Sequence, residues 1–257
     1  MKQNSSRNTG LLATTLFALL LAACGGGGGS DTSATTPTSQ TAFAGQGVYS
    51  GTTSNGAQSF ISIFLENGDA WGIYTGTSFG LMQGHGAQAD ANGTFVVSNG
   101  IDFNLGNRAL PLQNLSATFI PKSTVNGTAT YQNSSLGSVN FSGAYQTMYD
   151  TPATLSSIAG SYQGAGGTLT DSDEFSITVD PSGKISAIGQ YGCLIQGSIQ
   201  PRPSGKNIFD VTVRFDSRSC GRSDSATGIA LVNNGALIVA ATTPGRTDAL
   251  VGVGLKR

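Results

Sequence analysis

The chain has 257 residues and a formal net charge of −1, with 11% charged side chains, 37 glycines and one histidine. A near-neutral chain this poor in Lys and Arg lacks the basic face that a nucleic-acid binder needs, which excludes that class. Gly, Ser, Thr and Asn with scattered Val, Ile, Phe and Tyr describe short strands joined by tight turns. No segment after residue 40 keeps a helical apolar period.

The first element is a leader. Lys2 and Arg7 precede an almost unbroken apolar run from Leu11 to Ala22. Its length suits a secretion signal and is too short to span a bilayer. It ends in Leu21-Ala22-Ala23-Cys24, which resembles the lipobox of bacterial lipoproteins. The resemblance implies cleavage before Cys24 by signal peptidase II, diacylglycerol on its thiol and an acyl chain such as palmitate on its new amino group. One acyl chain holds a membrane marginally, whereas two or three anchor stably. Gly25, in the place where Asp favours inner-membrane retention, implies delivery to the outer membrane. An ordinary cleaved signal with a chance cysteine is the alternative. The expected boundaries are a signal peptide over 1–23 and an acylated cysteine with a Gly/Ser/Thr-rich tether over 24–42.

Beyond the tether the chain repeats itself. Gly47-Val48-Tyr49-Ser50-Gly51 matches Gly160-Ser161-Tyr162-Gln163-Gly164, and Leu81-Met82-Gln83-Gly84 matches Leu194-Ile195-Gln196-Gly197. Phe60, Phe64 and Gly68 fall on Phe175, Val179 and Gly183. Farther on, Asn126-Gly127-Thr128-Ala129 is paired with Thr227-Gly228-Ile229-Ala230, which makes the second half shorter by a loop. Alternation such as Phe175-Ser176-Ile177-Thr178-Val179 predicts half-buried antiparallel strands. Asn67-Gly68, Asn92-Gly93, Asn99-Gly100, Asn126-Gly127, Ser182-Gly183 and Asn234-Gly235 read as turns.

About eight short strands per half predict an all-β chain of two tandem, small, up-and-down antiparallel β-barrels. The first covers 43–147 and the second 160–257. A linker over 148–159 holds a short helix capped by Thr151 with Pro152 in its first turn, closing the bottom of the second barrel. The Gly-x-Tyr openings at Gly47-Tyr49 and Gly160-Tyr162 resemble the Gly-x-Trp opening of lipocalin-like barrels. Tandem barrels on a lipid anchor are also similar in architecture to surface lipoproteins of the transferrin-binding type. Neither likeness implies a ligand. The strands are too short for a transmembrane barrel.

Candidate functional residues follow from chemistry. With Cys24 assigned to the lipid, Cys193 and Cys220 remain as an even pair, whose default in an oxidising compartment is a disulfide. Residues 31–157 carry six acidic and two basic side chains, whereas 158–257 carry eight and nine. Arg202, Lys206, Arg214, Arg218 and Arg222 crowd the second half and are candidates for a patch that meets lipopolysaccharide or an acidic partner. Trp71 and Tyr74, with Phe79, are candidates for an aromatic contact surface. His85 would have to serve any Ser-His-Asp hydrolase, but no Gly-x-Ser-x-Gly elbow accompanies it. No residue pattern calls for a metal or cofactor. The function expected is a non-catalytic binding or envelope-interaction module at the outer membrane. Its partners would be the membrane through the lipid, and an envelope protein, lipopolysaccharide or a small apolar ligand. The alternatives are a structural envelope protein with filled barrels, or a weak hydrolase using His85.

Overall fold

The computed structural model describes residues 43–88 and 93–257; the leader, Cys24 and the tether lie outside them. The fold is all-β, with two closed antiparallel barrels in tandem. The first is built from β1 (Gly47–Thr53), β2 (Gln58–Phe64), β3 (Asp69–Gly76), β4 (Gly80–Gln88), β5 (Phe95–Val97), β6 (Ile101–Asn104), β7 (Arg108–Ile120), β8 (Thr124–Tyr131) and β9 (Ser138–Tyr145). β5 and β6 both pair with β4 on one side and β7 on the other, so they form one broken stave in an eight-stave barrel. The second barrel comprises β10 (Gly160–Gly167), β11 (Ser172–Val179), β12 (Lys184–Gly189), β13 (Leu194–Pro201), β14 (Phe209–Phe215), β15 (Ser225–Asn233), β16 (Ala236–Thr242) and β17 (Ala249–Lys256). Within each barrel consecutive staves pair, and β1–β9 and β10–β17 close the rings.

The repeat is visible in matching details. Tyr49 and Tyr162 are both fully buried, and each donates its hydroxyl to the carbonyl four residues earlier, Gly45 and Ile158. Each closing seam pairs two glycines, Gly51 with Gly143 and Gly164 with Gly254. A Cβ on Gly51 would lie 1.9 Å from the Ser142 carbonyl oxygen, and one on Gly164 1.8 Å from that of Val253, so the strands meet too closely there for a side chain. One sequence match is corrected. Asn126–Ala129 lies on the seventh stave of its barrel and Thr227–Ala230 on the sixth of its own, so the two segments are not equivalent.

Two turn expectations are also corrected. Asn126-Gly127 lies inside β8, where the glycine makes room for the Phe141 ring: a Cβ would stand 2.3 Å from its Cζ. Asn99-Gly100 sits in the break between β5 and β6. There the Asn99 side chain accepts the His85 backbone N–H at 2.9 Å and so fills in for a missing ladder bond. In the linker, the helix α1 (Leu155–Ile158) is capped by Thr154, not Thr151. The Thr154 hydroxyl accepts the Ser157 N–H. Ile158, at the end of α1, is buried in the core of the second barrel.

Three apolar cores hold the molecule. The first barrel is filled by Phe43, Tyr49, Phe64, Phe95, Leu112 and their neighbours. The second is filled mainly by aliphatic groups such as Ile185, Ile199, Val211 and Val239. The third lies between the barrels: Ile63, Ile73, Leu81 and Phe103 on the outside of one meet Ile229, Leu231, Ile238 and Val251 on the outside of the other. β16 is therefore buried on both faces, which is why its sequence runs Ala-Leu-Ile-Val-Ala-Ala without alternation. Each aliphatic side chain so covered contributes about 2 kcal/mol.

Candidate functional site

Both barrel interiors are nearly filled. Their cavities measure about 60 Å³ in the first and 50 Å³ in the second, room for a few waters. Among the described residues two spaces are larger. An open groove of about 460 Å³ lies over β7, β8 and β9 of the first barrel. A cleft of about 370 Å³ lies where the outer faces of the two barrels meet and takes side chains from both; its size is within the range of small-molecule sites. In the cleft, β3 and β4 supply Asp69, Trp71 and Gln83 to one wall; β14, β15 and β16 supply Asp210, Thr212, Thr227 and Thr242 to the other. Thr212, Thr227 and Thr242 are direct cross-strand partners in sequence, which sets three hydroxyl-bearing side chains in one row. Trp71 and Gln83 are likewise direct partners.

Arg202 lies at the cleft with its side chain 11% exposed. It donates to Glu66 Oε1 at 2.8 and 3.2 Å and also pairs with Asp210. Burial opposes its charge, but the two carboxylates outweigh burial and raise its pKa. Asp69 accepts from Asn67 at 2.8 Å and faces His85 Nδ1 at 2.9 Å. Arg246 donates to the backbone carbonyls of Gln83 at 2.6 Å and Asn99 at 2.8 Å, stitching the second barrel to the first. Behind the cleft, Arg246 Nε and Glu66 Oε2 are buried without a partner, whereas the charges that line it, Asp69, Arg202 and Asp210, are paired before any ligand arrives. Two wall atoms are not: the Trp71 indole N–H and Gln83 Oε1 are buried with no hydrogen-bond partner. A buried donor or acceptor left unpaired costs about 1–3 kcal/mol.

The structure separates the residues singled out from sequence. Trp71 and Tyr74 lie on opposite faces of β3, Trp71 at the cleft and Tyr74 inside the barrel. Phe79 packs at the edge of the inter-barrel core. The five basic residues do not form one patch: Arg202 and Lys206 precede β14, whereas Arg218 and Arg222 follow it. Lys206 pairs with Asp150 at 2.7 Å and stands over the Tyr149 ring. Arg222 pairs with Asp224 and Asp248 and covers the Phe215 ring; its hydrogen bond to Asp224 raises its pKa first, with burial opposing. Arg214 and Arg218 are exposed, and among the described residues neither makes an ion pair. His85 is exposed, and among the described residues no serine hydroxyl bonds its ring. Cys193 and Cys220 form a disulfide that ties the β12–β13 turn to α2 (Ser217–Cys220).

Sequence reasoning missed Asp102. It is 3% exposed inside the first barrel, and its two oxygens accept the hydroxyls of Tyr74 and Tyr131 at 2.7 Å each. Burial raises its pKa, and the two hydroxyl bonds oppose that rise. Both tyrosines are pushed upward by burial and then by the carboxylate. Alternation in Ile101-Asp102-Phe103-Asn104 would point the acid to solvent; it faces inward because Ile101 and Phe103 are taken up by the inter-barrel core on the outer face.

No protein-family model matches this chain, and no curated protein matches it. Among solved structures, a protein of unknown function from the DUF3598 family of Nostoc punctiforme is similar at 12% identity, with 83% of this chain and 97% of that chain covered. Its TM-score is 0.24, and the likeness carries no functional argument.

Proposed function

We propose that this chain is a lipid-tethered, non-catalytic binding module of a bacterial envelope, anchored through Cys24 at the outer membrane, with the inter-barrel cleft as its ligand-facing surface. The observation that carries the binding reading is the cleft itself. It is the place where both barrels contribute polar side chains, where charges are already neutralised, and where a donor and an acceptor remain unpaired. The lipobox-like Leu21–Cys24 segment supports the location. The Cys193–Cys220 disulfide supports an oxidising compartment.

Fractionation of cells expressing the full chain tests the tether. The protein is expected in the outer-membrane fraction, and Cys24→Ser is expected to release it and leave the leader uncleaved. Normal processing of that variant would overturn the lipid anchor. Native mass spectrometry of the intact protein tests the binding role, through added mass that leaves on denaturation. A second reading, a structural envelope protein, is favoured by the nearly filled interiors. It predicts a bare mass and a protein partner recovered by cross-linking in the envelope.

A further inference from the structure

We infer that the cleft binds a neutral sugar, with one ring hydroxyl held between the Trp71 indole N–H and the Gln83 side-chain carbonyl. The inference rests on the reading of this chain as a binding module and adds the ligand class. Trp71 is 6% exposed, lines the cleft, and has its N–H buried without a partner. Gln83 Oε1, on the residue directly opposite in the sheet, is an acceptor in the same condition. A hydroxyl can both accept from an N–H and donate to a carbonyl, which are the two roles these atoms leave open.

Charge narrows the class further. Of the charges that line the cleft, Arg202 is already held by Glu66 and Asp210, and Asp69 by Asn67 and His85, so an ionic ligand at either would have to displace an existing partner; Arg246 bonds the Gln83 backbone from outside the lining. Across the cleft the Thr212–Thr227–Thr242 row offers hydroxyls that donate or accept as the ligand requires. A volume of about 370 Å³ accommodates a monosaccharide unit. Sites built on buried polar groups discriminate strongly against analogues that lack the matching hydroxyl.

Trp71 is the only tryptophan of the chain, so its fluorescence reports on this cleft alone. The full-length protein in detergent would be titrated with glucose and with N-acetylglucosamine to about 100 mM, well beyond the millimolar Kd that a few hydrogen bonds provide. A saturable change in emission is expected with at least one of them. Gln83→Met keeps the bulk, removes the acceptor, and is expected to weaken that response at least tenfold with circular dichroism unchanged. If Gln83→Met alters the fold, Thr227→Val on the opposite wall replaces it, with a several-fold weakening expected. A merely linear drift with both sugars, or saturation unaltered in a folded variant, would overturn the inference. Failure here leaves the release of Cys24→Ser from the membrane untouched, and failure of that release leaves the fluorescence result standing.

Discussion

The two barrels share a stave order, a buried tyrosine that bonds four residues back, and a glycine seam, yet they are stabilised by different means. The first packs aromatic rings edge to face, as Phe64 does with Phe95 and Phe119, and knots Asp102 between two tyrosines. Its β7–β9 wall is almost free of charge, with Lys122 the lone ionic residue between Arg108 and Asp150. The second holds smaller aliphatic groups, and its stability is moved outward into the loops. There a disulfide joins two connections, and Arg222 bridges Asp224 to Asp248. A closed ring of eight staves therefore specifies a backbone and leaves its filling free. A duplicated domain can keep its topology while its interior is rebuilt residue by residue.

The comparison breaks most severely at the surface the barrels share. Leu231→Asp would bury an unpaired carboxylate in the inter-barrel core, at a cost of about 4 kcal/mol. Calorimetry is expected to show the single unfolding transition of the intact protein split in two, one per barrel. Within the first barrel, Phe95→Ala removes a fully buried ring and is expected to cost about 3–5 kcal/mol by chemical denaturation. Within the second, Cys220→Ser opens a link spanning 27 residues, for which the loop-entropy model gives about 3.5 kcal/mol. If both losses appear in one common transition, the barrels unfold as a unit despite their different interiors.

Two smaller effects sharpen the contrast through pH. Asp102 has a folded-state pKa above its ordinary 3.8 because burial penalises its charge. The folded state thus holds this proton more tightly than the unfolded one. Stability is expected to fall as pH rises from 3.8 through the folded-state pKa, and Asp102→Asn is expected to flatten that slope in thermal melts. Asp150 behaves oppositely. The Lys206 hydrogen bond leads the effects that bring it down to about 2, so its contribution is present above 3.8 and lost as pH falls through 2. Lys206→Ala is expected to shift that acid limb upward and to cost less than about 1 kcal/mol, because the pair is partly exposed.

The fold was readable because barrel staves announce themselves locally. Phe175, Ile177 and Val179 alternate with polar residues, and the two Gly-x-Tyr openings mark the same stave in each half. The cleft was not readable for an equally physical reason. Trp71 and Gln83 meet across one hairpin, but the threonine row and Arg202 reach them only when two distant outer faces join. The unbroken apolar run of β16 did signal burial on both faces, though nothing local named what would cover the outer one. Pairing also dissolved the apparent basic patch, since Arg202 finds Glu66 from a stretch 136 residues away.

The glycine seams carry a kinetic consequence. Each ring closes by joining its first and last staves, so Gly51 must find Gly143 and Gly164 must find Gly254 across most of a barrel's length of chain. Contacts that distant in sequence form slowly. Once closed, neither barrel offers a free strand edge to a neighbour, but until then each exposes two. For this protein, the danger of sticking to other chains lies in the time taken to fold, and hardly at all in the finished molecule.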